Sequence, residues 1–286
     1  MNITPIVANR FLSDGGVMFG LVPRAIWEQF CPPDEKNRIS QNANILLIES
    51  DDGRLGLIDS GCGDAAAYTD KALEINGLGS GWPLIETLAD RGIDPEQIDF
   101  VILTHLHWDH ASGMTRPDGR PTFPNAELIV PRDEWNDAHS DDPLLYKAYP
   151  KECIDPLNQY KNKHLIEPGQ IFEGIELIET GGHTRGHCAA LLTGSLSIHH
   201  PESPKQIDRA LFLSDACPTS HHLRMVFHPS YDLYPLQTRA WKRAWLPQCA
   251  NDGTWLFFSH DPHLAAAQIS HHEKSEFVTS ATLKIK

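Results

Sequence analysis

Six consecutive residues, His105-Leu106-His107-Trp108-Asp109-His110, carry three imidazoles and a carboxylate at a spacing that suits metal ligation. They follow Val101-Ile102-Leu103-Thr104, an apolar run that reads as a buried strand. Side chains leaving the mouth of a strand can converge while their backbone stays anchored. His105 and His107, two apart, point the same way and can grip one cation. Asp109 and His110 fall on the turn beyond and can reach a second. Imidazole and carboxylate are ligand types that zinc accepts, at about 2.0–2.2 Å. The chemistry expected is metal ligation with room for two ions.

Something must hold that run in place. Strand-like apolar runs cover residues 45–49, 55–59, 100–104, 127–130, 175–180, 189–193, 210–214 and 254–259. Helical patterns lie between several of them. One covers 83–91, with Pro83 in its first turn and Gly92 at its stop; others cover 131–139 and 235–250. The strands are near-continuous apolar blocks, as expected where both faces are buried. Strands and helices interleaved in this way predict one α/β domain over residues 1–286. Two segments look like additions to that core. Residues 14–39 mix Gly, Pro and large aromatics and are a candidate lid, while 141–163 are polar and Tyr-rich, a candidate insertion.

A chain of 286 residues can bury a sizeable core. Its net charge of −14 repels polyanions, so the expected partner is a small molecule and not nucleic acid. No stretch approaches the ~20 apolar residues that span a bilayer, and residues 1–12 do not read as a secretory signal. The expectation is a cytoplasmic protein, monomer or homodimer, with no membrane partner. Six cysteines are scattered without a C-x-x-C pair, which suits reduced thiols.

The motif His105-x-His107-x-Asp109-His110 resembles the signature of the metallo-β-lactamase fold superfamily, and other landmarks follow in order. Leu57-Ile58-Asp59-Ser60-Gly61 resembles that family's early strand ending in Asp. Gly182-His183-Thr184-Arg185-Gly186-His187 resembles its G-H-T-x-G-H turn. Phe212-Leu213-Ser214-Asp215 resembles the strand delivering a bridging Asp, with Ser214 where the family often has Gly. Phe258-Ser259-His260-Asp261 resembles the strand end with the last His ligand. The resemblance implies an αββα sandwich, two central mixed sheets flanked by helices. It also implies two divalent metal ions, Zn2+ first, with Fe or Mn as alternatives. His105, His107 and His183 would hold one ion, Asp109, His110 and His260 the other, and Asp215 would bridge them. Asp59 would orient a ligand by hydrogen bonding, and His187 is read as support or packing. His222 and Phe19 are the residues expected near a substrate pocket. His139, His164, His199, His200, His228, His263, His271 and His272 read as surface residues.

For function the resemblance implies hydrolysis by a metal-bridging hydroxide, with Asp109 as the catalytic residue that orients it and relays its proton. Asp215 argues against an antibiotic-degrading enzyme, because the class B β-lactamases lack the bridging Asp. The ligand set and the 14–39 segment look most like the lactonase and organophosphate-hydrolase (methyl parathion hydrolase-like) branch, so a lactone or related carboxylic ester is the expected substrate. Phosphotriesterase, thioesterase and mononuclear iron persulfide dioxygenase activities are the alternatives on the same centre. N-acyl-homoserine lactonases place a catalytic Tyr three residues after the bridging Asp, where this chain has Pro218; Tyr231 or Tyr234 could take its place.

Overall fold

The computed structural model describes residues 1–145, 149–201 and 204–285. Hydrogen bonding runs unbroken through thirteen strands, yet they divide into two halves that face each other. The first half comprises β1 (Asn2–Asp14), β2 (Arg38–Glu49), β3 (Leu55–Ile58), β4 (Phe100–Ile102), β5 (Glu127–Pro131) and β6 (Lys163–Ile166). The second comprises β7 (Gly169–Phe172), β8 (Ile175–Glu179), β9 (Cys188–Ile198), β10 (Lys205–Phe212), β11 (Trp255–Phe257), β12 (Leu264–His272) and β13 (Glu276–Lys284). Both halves are mixed: β3 to β6 run parallel beside the antiparallel β1–β2–β3, and β10–β11 is a parallel pair among antiparallel ones. A short parallel pairing, Asn2 with Ser197 and Ile3 with Ile198, joins them. The two sheets of the expected sandwich are thus continuous at one corner.

Strand β4 shows why its sequence is apolar throughout. Phe100 and Ile102 enter the core between the halves, beside Leu177, Phe212 and Phe257, while Val101 and Leu103 enter the core outside the first half. Each such side chain contributes about 1.5–3 kcal/mol on burial. The outer core of the first half is closed by helix Pro83–Asp90, through Leu84 and Leu88, and by Trp135 of helix Arg132–Ala138. Helix Pro235–Asp252 covers the second half with Trp241, Leu246 and Cys249. No helix among the described residues is long and apolar enough to cross a membrane.

Residues 14–39 form two short helices, Gly15–Phe19 and Arg24–Trp27, before β2 begins. Asp14 caps the first by accepting from the Val17 amide at 3.1 Å. Met18, Phe19, Val22 and Trp27 then pack with Ile39 and Phe227 in a small core of their own. Residues 141–163 are less superficial than their polarity suggests: Tyr149, Ile154, Leu157 and Tyr160 join the outer core of the first half. Residues 146–148 of that insertion lie outside the described residues. Two histidines read as surface residues are buried. His200 Nε2–H donates to the Lys284 carbonyl at 2.8 Å, and His228 Nδ1–H to that of Pro229 at 2.9 Å.

Candidate metal centre

Strand β4 delivers His105 three residues past its end, and His107 stands at the N-terminus of the one-turn helix Trp108–Ala111, which carries Asp109 and His110. Gly182 sets the turn that carries His183. Its φ is +76°, and an added Cβ would come within 2.6 Å of the Thr238 amide nitrogen, so only glycine fits that approach. Asp215 follows Ser214, whose φ of +47° is costly for a residue with a Cβ. This is why glycine suits that position; Ser214 instead places its hydroxyl 2.8 Å from that of Thr104. His260 lies just beyond β11, its amide donating to the Pro218 carbonyl at 2.8 Å.

All seven expected ligands converge. Their ligand atoms form three overlapping groups, each within 4.8 Å: His105 with His107 and His183, His105 with His110 and Asp215, and Asp109 with His110 and His260. His183 Nε2 lies 2.9 Å from His107 Nδ1 and 3.4 Å from Asp215 Oδ2. The other carboxylate oxygen, Asp215 Oδ1, is 3.0 Å from His260 Nε2 and 3.2 Å from His110 Nε2. Asp109 Oδ2 is 3.5 Å from His260 Nε2. Atoms held about 2.0–2.1 Å from a shared tetrahedral zinc sit roughly 3.3 Å apart, so these edges fit cations of that size. His105 Nε2 supplies a further test of fit, being buried with no hydrogen-bond partner. A buried acceptor left unmade is costly unless something else satisfies it.

The far sides of the imidazoles are fixed. His110 Nδ1–H donates to Asp59 at 2.8 Å, and Asp59 also accepts from the Thr104 amide at 2.8 Å. His183 Nδ1–H donates to Asp232 at 2.9 Å, and His260 Nδ1–H to the Asn42 carbonyl at 2.7 Å. His187 is not among the grouped ligands: its Nε2 accepts the Asp215 amide at 3.1 Å, steadying the carboxylate. Burial and neighbouring imidazoles push His105 and His107 well below the usual histidine range, leaving them neutral with lone pairs available. Burial works against charge on His110, His183 and His260 as well. There Asp215 and its neighbouring carboxylates win and raise all three. This centre attracts positive charge.

A cleft of about 510 Å³ opens on these groups, with His107, Asp109, Asp215 and Tyr231 at its base and Phe11, Val17, Ile75 and Trp108 on its walls. Phe19 and His222 are not on that lining. Phe19 is 1% exposed and stacks on His222 with ring centroids 5.3 Å apart. His222 in turn donates from Nε2 to the Met18 carbonyl at 2.8 Å and accepts at Nδ1 from Thr219. Both hold residues 14–39 down, and Asp14, Val17, Lys36 and Arg38 are the residues of that segment that line the cleft, Val17 as its apolar member. Tyr231 edges onto the His183 ring at 5.2 Å between centroids, whereas Tyr234 is 39% exposed. Tyr231 is an expected stand-in for the missing tyrosine, whereas Asp232 and the Asn42 carbonyl have no counterpart among the expected residues. Asp232 is 49 residues from His183, and no local pattern marks it.

The packing of His222 has a consequence for pH. Burial pushes its pKa down to about 3, from an ordinary value near 6.5. Between those values the unfolded chain binds a proton that the folded chain does not, so stability falls as pH drops through this window. Thermal melts of wild type should therefore lose Tm on acidification from about pH 6.5 to 4.5 more steeply than those of His222→Gln. Equal slopes would contradict the neutral, buried imidazole.

Three comparisons with known proteins bear on the family and the fold. The family model described as the metallo-beta-lactamase superfamily matches residues 40–260. An N-acyl homoserine lactonase of a Bacillus species is 32% identical over 158 residues, covering 51% of this chain and 56% of that protein. The matched stretch thus spans little more than half of that curated relative. A probable metal-dependent hydrolase from Staphylococcus aureus superposes with a TM-score of 0.82 at 27% identity, covering 98% of this chain and 97% of that one. A dizinc quorum-quenching lactonase, solved with a homoserine product, reaches a TM-score of 0.74 at 15% identity over 99% of this chain and 94% of that one, which speaks to the fold alone.

Proposed function

This chain belongs to the metallo-β-lactamase superfamily, and from that premise we propose a dinuclear, zinc-dependent hydrolase of a lactone or related carboxylic ester. The observation that carries the reading is the split carboxylate of Asp215, with one oxygen toward His110 and His260 and the other toward His183. Carboxylate oxygens on both sides suit a bridge between two ions. A single-ion centre would leave His110, His260 and Asp109 without a task.

When bound, a pair of such ions lowers the pKa of water toward ~7 and polarises an ester carbonyl. The chain supplies the rest. Asp109 is partly exposed on the cleft floor, where its carboxylate can orient the attacking water and take its proton. Tyr231 stands on the same floor, its hydroxyl 3.0 Å from Met18 Sδ. Burial pushes the Tyr231 phenol up, so it stays protonated and can donate to oxygen charge developing on the substrate. Phe11, Val17, Ile75 and Trp108 favour an apolar substituent, and residues 14–39 act as the lid that closes over it. At the rim Lys36 is paired with Glu74 and Arg38 with Asp34, which suits a substrate of little net charge. The name of the Bacillus relative supports a lactone in particular.

A panel of lactones, aliphatic esters, thioesters and phosphotriesters tests the reading. A lactone or carboxylic ester should show the highest kcat/KM. Tenfold preference for a phosphotriester or thioester, about 1.4 kcal/mol in transition-state binding, would replace it with that activity. The support of His183 gives a second expectation. Asp232→Ala should weaken zinc binding by about 10–100-fold, because a ligand imidazole loses its orienting carboxylate. Competition with a chromophoric chelator reads this directly, and unchanged affinity would remove Asp232 from the centre.

A further inference from the structure

Glu134 lies in helix Arg132–Ala138, beyond the ligands and the cleft, and is 0% exposed. A wholly buried carboxylate is expensive unless paired, and among the described residues no Lys or Arg pairs with it. Its two oxygens have separate partners. Oε1 accepts from the Leu106 amide at 2.9 Å, and Oε2 from the Thr184 hydroxyl at 2.5 Å. Leu106 stands between His105 and His107, and Thr184 directly follows His183. One carboxylate therefore spans the two loops that carry the three histidines of a single group.

The rest of the helix follows the same pattern. Gly186 packs against the Glu134 backbone so closely that a Cβ there would collide with its amide nitrogen. Arg185 pairs with Asp137 at 3.0 Å and with Asp133 at 3.2 Å. Those surface pairs contribute little on their own. The buried tie is different, because losing it would leave an amide and a hydroxyl without partners beside the histidines. An apolar side chain would fill the same space at lower desolvation cost, so packing alone does not account for an acid at this point.

We propose that Glu134 is a positioning residue, holding the His105–His107 loop and the His183 turn at the separation that a metal ion requires. The inference rests on the metal-centre reading. It extends that reading by assigning the preassembly of the first site to a residue that touches neither ion nor substrate.

The test titrates full-length protein with zinc alone against a chromophoric chelator, and follows cobalt(II) absorption as a report on coordination geometry. Glu134→Ala should weaken the tighter site by about 10–100-fold and alter the cobalt spectrum. Thr184→Val, which removes one hydroxyl, should cause part of that loss, and the double variant no more than Glu134→Ala alone. Glu134→Gln keeps an acceptor for the Leu106 amide and offers an N–H to the Thr184 oxygen, so it should stay within roughly threefold of wild type, as a neutral hydrogen-bonded replacement. Should Glu134→Ala not fold, Thr184→Val carries the test. Folded variants that bind zinc within twofold of wild type and keep its cobalt spectrum would overturn the proposal. Wild-type protein that binds no zinc would instead overturn the metal-centre reading beneath it.

Discussion

Replacing Asp109 by alanine should lower kcat by about a thousandfold or more, the scale of removing both a general base and an orienting ligand. The loss should fall on kcat and kcat/KM together, because the role proposed for Asp109 is on the reacting water and not on the substrate's apolar part. The group formed by His105, His107 and His183 should keep its ion, since Asp109 is grouped with His110 and His260 instead. The variant should also fold, because its carboxylate is partly exposed and belongs to no core cluster. Single-turnover kinetics on a metal-verified sample make the comparison clean. Near-wild-type turnover there would exclude Asp109 from proton transfer.

Asp215→Asn should be as damaging for a different reason. Its oxygens stand on both sides of the centre, and its backbone and side chain are held by His187 and Ser259. An amide keeps the shape and one acceptor but loses the charge that His260, His110 and His183 depend on. Those three imidazoles pull the Asp215 carboxyl well below the usual range, despite burial that works the other way. Metal content should fall from about two ions per chain to about one or fewer, and kcat by about a thousandfold, as expected when a two-ion clamp is broken. Retention of both ions would show that Asp215 is not the bridge.

The parts of this protein that sequence made legible are those whose signals are local. Strand β4 and the run after it can be read directly, because a buried strand and its exit loop are contiguous. His183, Asp215 and His260 are legible only by resemblance, since each lies far along the chain from His105 and converges through β9, β10 and β11. Asp232 and Glu134 escape both routes; they act across 49 and 28 residues, and an acid before a helix or within one is commonplace. Strand β12 hides for another reason. Ala265, Ala266 and Ala267 favour a helix by propensity, yet pairing with β11 and β13 overrides that preference. Phe19 shows the limit of reading a lid from composition. Aromatic residues mark the segment, but only its two turns of helix decide that Phe19 packs inward and Val17 meets the cleft.

The central claim, a two-zinc hydrolase, is tested most directly by metal analysis of protein purified without chelator, paired with turnover before and after metal removal. About two zinc ions per chain are expected, with hydrolysis lost on chelation and restored by zinc. One iron per chain and no zinc, in protein that hydrolyses nothing on the ester panel, would contradict it.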